Sequence, residues 1–92
     1  MFELSGFQRD LLYCISDLED AYGLGIKRAL EDYGGTEINH GRLYPNLDTL
    51  VDKGYVAKSS IDKRTNRYEL TAEGKQLLAE RHEWEAERLS EQ

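Results

Sequence analysis

The chain has 92 residues, a third of them charged, with 18 acids against 12 bases and a formal charge of −6. That leaves room for one small domain with a modest apolar core, and so short and polar a chain often leans on oligomerisation to hold its fold. No apolar run approaches the roughly 20 residues of a membrane span, and MFELSGFQRD has no basic region ahead of a greasy stretch, so a soluble, cytoplasmic protein is expected.

In chain order, Ser5 and Gln8 have the spacing of a capping box, and Phe7, Leu11, Cys14, Ile15 and Leu18 recur at three and four behind them. The spacing predicts a first helix ending near Asp20. Cys14 is the single cysteine; between Leu11 and Leu18 it reads as a small buried apolar residue, with a redox link between subunits as the alternative. Tyr13 and the Phe2–Leu4 segment lie off this face. A second helix is predicted over 22–33, with Leu24, Ile26, Ala29, Leu30 and Tyr33 on its apolar side and Gly34-Gly35 as its stop. Gly23 and Gly25 weaken its first turn, which the close approach of another helix would explain.

A third helix follows Asn39, a good N-cap, and runs over about 40–53. Leu43, Leu47, Leu50 and Val51 share one arc, with Tyr44 at its edge, while Arg42, Asn46, Thr49 and Lys53 share another. Asp48 and Asp52 form a stripe beside them. Pro45 lacks the N–H that would bond to Gly41, so a local distortion is expected there. After Gly54, Tyr55-Val56-Ala57 and Arg67-Tyr68-Glu69-Leu70 are short strands around a polar turn, Asp62 to Asn66. Thr71 caps a last helix from about Ala72 to Leu89. Its leucines and Trp84 fall on separate narrow seams, which fit packing on a second copy better than packing on its own domain.

Charge is distributed unevenly: residues 1–52 sum to −6, residues 53–68 to +4 and residues 69–92 to −4. A helix with a polar stripe is thus followed at once by a basic hairpin, in the order helix, helix, helix, strand, strand, helix. That mainly helical α+β layout is a winged helix-turn-helix, in which one helix enters the major groove and the hairpin lies over phosphates. Arginine can fork onto guanine and asparagine onto adenine, and threonine can meet a base edge. Lys63 and Arg64 at the hairpin tip would hold phosphates without reading sequence. His40 and His82 have no paired ligand spacing, and no nucleophile, acid and base come together, so neither a metal, a cofactor nor an enzyme is expected.

NHGRLYPNLDTLVDKGYV resembles the third helix of the PadR-like transcriptional regulators, with their tyrosine-proline pair followed by leucines and a glycine turn. YELTAEGKQLL resembles their second strand and Leu-Thr-x-x-Gly, and LSGFQRDLLYCI through YGLGIKRALED resembles their first two helices. The acid-rich, lysine-poor surface and the wording of the motif look similar to members from halophilic archaea. The resemblance covers about residues 3–80. It implies a homodimeric, sequence-specific DNA-binding regulator, usually a repressor, on a roughly palindromic operator. It further implies a DNA-binding unit over 1–71 and a C-terminal dimerisation helix over 72–92, packed on the same unit. The DNA-contacting residues it implies are Arg42, Tyr44, Asn46 and Thr49 on the helix, joined by Lys53 from the stripe, and Lys63, Arg64 and Arg67 on the wing (55–71). It gives Phe2, Leu4, Tyr13, Leu78, Trp84 and Leu89 a home in the subunit interface. The last helix is short beside those of members with a ligand cavity, which argues against a small-molecule effector. A net acidic DNA-binding protein runs against counterion release at low salt. Function in high salt accommodates this; a winged helix that docks protein instead of DNA is the alternative.

Overall fold

The computed structural model describes residues 3–90. Its elements are α1 (Gly6–Asp17), β1 (Ala21–Tyr22), α2 (Gly23–Gly34), α3 (His40–Asp52), β2 (Val56–Ser60), β3 (Asn66–Leu70) and α4 (Ala72–Ser90). The capping box forms as its spacing predicts: the Gln8 N–H donates to the Ser5 hydroxyl and the Ser5 N–H to the Gln8 side chain, each at 3.1 Å. α1 ends at Asp17, three residues short of the predicted stop, because Leu18 leaves the helix in an extended conformation. Asn39 caps α3, accepting the Arg42 N–H at 2.8 Å.

The sequence pattern missed β1. It pairs antiparallel with β3, Ala21 opposite Tyr68, so the sheet order is β1-β3-β2 and β3 is flanked on both sides. The hairpin itself spans more than the predicted strands, from Val56 opposite Leu70 to Ser60 opposite Asn66.

Leu11, Leu12, Ile26, Leu43, Leu47 and Leu50 are fully buried, and each such side chain is worth about 1.5–3 kcal/mol of transfer free energy. Leu12 was not on the predicted face of α1; α1 is buried on more than one side, so its apolar arc is wider. In α2 only Ile26 and Leu30 reach the core, while Leu24 and Tyr33 are exposed, Tyr33 at 88%. Cys14 packs half-buried against the core; burial first, then Asp10 and Asp17, push its thiol up and away from reactivity.

Two close approaches set the helices. A Cβ on Gly23 would meet the ring of Tyr44 at 2.9 Å, so the approach expected at this glycine exists, whereas Gly25 has open space. A Cβ on Gly74 would overlap the Tyr55 carbonyl oxygen, so α4 can start where it does only because that residue is glycine. Thr71 fastens the same corner: its hydroxyl donates to the Gly54 carbonyl at 2.7 Å and accepts the Gly74 N–H at 3.1 Å. Gly54 itself, at φ 86°, turns the chain from α3 into the wing.

Two of the residues expected in the subunit interface are placed inside the chain. Leu4 and Leu78 lie in this chain's own core at 4% and 7% exposure, leaving little surface for a partner. The segment before α1 folds back onto the core, and α1 and β3 cover the first turns of α4, which sequence seams alone do not reveal. Phe2 lies outside the described residues. Among the described residues no helix is long and apolar enough to cross a membrane.

Candidate nucleic-acid interface

α3 is anchored on one side by Leu43, Leu47 and Leu50, so its other side is held at a fixed pose. The helix runs through Pro45 without a break. Proline sits on the exposed side, where the Gly41 carbonyl that loses its N–H partner can meet water. The outermost residues are Gly41, Arg42, Pro45, Asp48 and Asp52, with Lys53 at the C-terminal end. The acidic stripe therefore faces out more fully than Asn46 and Thr49, which are half-buried at its edge.

Three of the four side chains of the predicted stripe, Arg42, Asn46 and Thr49, have a partner within the protein. The Arg42 guanidinium lies over the Phe7 ring, 4.0 Å from its centroid, a cation–π contact that leaves its N–H edge available. Asn46 donates to the Arg42 carbonyl at 2.8 Å and accepts from the Gln8 amide at 2.9 Å. The Thr49 hydroxyl donates to the Pro45 carbonyl at 3.0 Å. Arg42 and Lys53 stand about 16 Å apart along the axis by helical rise. Tyr44 is a packing residue as much as a surface one: it lies against Gly23, with the His40 ring 5.6 Å away.

The turn of the wing is built by its one acid. The Asp62 carboxylate accepts the N–H groups of Arg64 at 2.8 Å and Thr65 at 2.9 Å, while the Ile61 N–H closes onto the Thr65 carbonyl at 2.9 Å. The Arg64 N–H, ahead of the Thr65 bonds, holds the Asp62 carboxyl below its ordinary range. Its charge is thereby directed into the turn, and the side chains of Lys63 and Arg64 stay exposed at the tip. Arg67 is placed differently. It is the second residue of β3, opposite Tyr22, 3.7 Å from Asp20 and 4.0 Å from Glu69, and is partly neutralised there. Lys58 bridges from β2 to Asp48 of α3 at 3.3 Å and so offsets one of the outward acids.

A cleft of about 150 Å³ joins these parts, lined by Tyr22 and Gly23 at the start of α2, Tyr44 of α3, and Arg64, Thr65 and Asn66 of the wing. The start of α2, the N-terminal half of α3 and the wing thus share one surface. Phe7 and Gln8, which hold Arg42 and Asn46, and Asp20 and Lys58, which pair with Arg67 and Asp48, were not expected. The capping spacing of Gln8 was visible, but its second hydrogen bond reaches a residue 38 positions away.

The second apolar surface is on α4. Beyond Leu78 nothing on this helix is buried; Trp84 is 43% and Leu89 69% exposed. Trp84 lies between the guanidinium groups of Arg81 and Arg88, at 4.7 and 4.4 Å. Tyr13, half-buried where α1 meets α4, hides its hydroxyl beside Glu85 and Arg81. Burial, then the charge of Glu85, push its titration up.

Among curated proteins none matches this chain. Solved structures share its fold closely. The complex structure of hsRosR-S1 is 52% identical with a TM-score of 0.90, over 95% of this chain and 77% of the other. H. salinarum RosR grown from NaBr has the same identity and TM-score over 94% and 77%. The complex structure of hsRosR-SG is 52% identical with a TM-score of 0.89 over 94% and 76%. The family described as transcriptional regulator PadR-like matches residues 11–80. On this family match and these relatives, with the winged-helix architecture, the chain belongs to the PadR-like family of transcriptional regulators, as its tyrosine-proline motif had implied.

Proposed function

We propose that the protein is a homodimeric repressor that binds a roughly palindromic DNA operator with α3 in the major groove and the wing tip on phosphates. The observation that carries this is the single surface on which the start of α2, Tyr44 of α3 and Arg64 of the wing meet. In this reading Arg42, Asn46 and Thr49 face bases, Tyr44 lines the groove wall, and Lys53, Lys63, Arg64 and Arg67 hold the backbone. Arg67 contributes least, because Asp20 and Glu69 already share its charge. Dimerisation runs through α4, with Trp84, Leu89 and the Tyr13 side of α1 as its surface; the uncovered second half of α4 supports it.

Net acidity sets the working condition. At about 1 M salt the screening length falls to about 3 Å, so repulsion between the acidic faces and DNA is removed while close contacts of the basic tip survive. Gel shift against the DNA upstream of the protein's own gene, from low to molar KCl, tests the reading. Arg42→Ala should relax sequence preference, and Lys63→Ala and Arg64→Ala should weaken binding to all sequences alike. Specific binding at no salt concentration sinks it, and co-purification of a heteromer contacting α3 would point to a protein partner instead. Light scattering tests the dimer separately: truncation after Leu78 should give monomers.

A further inference from the structure

We propose that Gln8, in the first turn of α1, is a positioning residue that decides which way round Asn46 presents its amide to a base edge. The proposal rests on the DNA-binding reading above. A chain of hydrogen bonds links the two residues to backbone groups of fixed polarity. At one end the Ser5 N–H, which can only donate, bonds the Gln8 amide oxygen at 3.1 Å. The Gln8 nitrogen must then face Asn46, and it donates to Oδ1 of Asn46 at 2.9 Å. At the other end the Arg42 carbonyl, which can only accept, takes the Asn46 Nδ2 at 2.8 Å.

Both ends agree, so neither amide can be reversed without losing its bonds. Turning Asn46 over would set nitrogen against the Gln8 nitrogen and oxygen against the Arg42 carbonyl. In the observed orientation one N–H on Nδ2 and one lone pair on Oδ1 remain unused. A donor beside an acceptor is what the N7 and N6 edge of adenine requires. The helix cap of α1 thus fixes the order of donor and acceptor on α3. Phe7, the preceding residue, does the equivalent for Arg42 through the face of its ring. The platform is rigid because Leu11, Leu12 and Ile15 bury α1 in the core just behind it.

The experiment uses the full chain and duplexes that the wild type enriches from a randomised library in molar KCl. Relative affinities are then measured for the best duplex and each of its single-base-pair variants. Gln8→Glu keeps an acceptor for the Ser5 N–H, since glutamate serves a capping box equally well, but offers oxygen to Asn46 where nitrogen stood. Gln8→Met removes the link without adding charge. Both should lose about five- to 100-fold of discrimination at the base pair where Asn46→Ala loses it, with preferences elsewhere kept. Combined with Asn46→Ala, neither should cause a further loss of discrimination. Gln8→Glu, which keeps the cap of α1, should lower the thermal midpoint no further than Gln8→Met does. A wild-type preference profile in both variants overturns the proposal, as does a loss spread evenly over all base pairs, or an Asn46→Ala profile identical to wild type. If the wild type enriches no duplex at any salt, the DNA-binding reading fails and takes this one with it; enrichment with indifferent Gln8 variants removes this one alone.

Discussion

α3 and α4 are the two longest helices, and they are held in opposite ways. α3, with 13 residues, carries three leucines at 0% exposure into the core. α4, with 19, buries only Gly74 and Leu78, both in its first two turns. Beyond them it is supported by Tyr13 of α1 beside Glu85 and by contacts along its own length, such as Arg81 to Glu85 at 3.3 Å, of the kind worth a few tenths of a kcal/mol each. The contrast separates two tasks. A helix whose outward side must present fixed chemistry is pinned from behind by its own subunit. A helix whose apolar groups await another surface is fastened at its start and along its Arg81–Glu85 side, and its tip is left uncovered.

The strongest way to break this comparison is Leu47→Ala. Emptying a fully buried site behind α3 should cost about 3–4 kcal/mol in denaturant unfolding, and a loss under about 1 kcal/mol would erase the contrast. Next comes Gly74→Ala, which tests whether the start of α4 is as constrained as its end is free. Alanine favours a helix by about 1 kcal/mol over glycine, yet here its Cβ would overlap the Tyr55 carbonyl, and a net loss of about 2 kcal/mol is expected.

A smaller effect, visible against pH, concerns how α3 begins. The Glu31 carboxylate accepts the Ile38 N–H at 2.8 Å and the Lys27 ammonium at 2.9 Å, clamping the turn that leads to Asn39. The Ile38 N–H first, then Lys27, hold this carboxyl below its ordinary value of 4.5. A depressed carboxylate contributes stability above its unfolded-state value, and that contribution is lost as pH falls through the lower folded value. The gap in thermal midpoint between wild type and Glu31→Gln should therefore be widest near neutrality and close below about pH 4.5. The smallest effect is at the free end of α4. Leu89→Ser, in dilute solution, should change stability by less than about 0.5 kcal/mol.

What was legible in the sequence followed local spacing. The caps at Ser5 and Asn39, the leucine face of α3 and the polar turn of the wing each depend on residues within four or five positions of one another. What was hidden depends on distant partners. β1 is two residues long, too short to show alternation, and exists because β3 has a free edge for it to join. Leu24 and Tyr33 share the apolar side of α2 with Ile26, but the core reaches only Ile26 and Leu30. Leu4 and Leu78 looked unplaced because the elements that cover them lie far along the chain. Asn46 was predicted to face outward, and its place on the stripe is right; its tether to Gln8 could not be read from helical spacing. The wing cations divide similarly: Lys63 and Arg64 are exposed because the turn is local, while Arg67 meets Asp20 only through the β1 pairing.

The two-residue strand has a consequence for how the molecule assembles. The β2–β3 hairpin closes over a short turn pinned by Asp62 and can form early, because little chain entropy is lost in joining neighbours. Docking Ala21 and Tyr22 onto β3 closes a loop that contains all of α2, α3 and β2, so this step waits until those helices have collapsed together. The angle of the wing therefore depends on the packing of everything inside that loop. A substitution that shifts the core inside that loop would change the angle at which the hairpin is held.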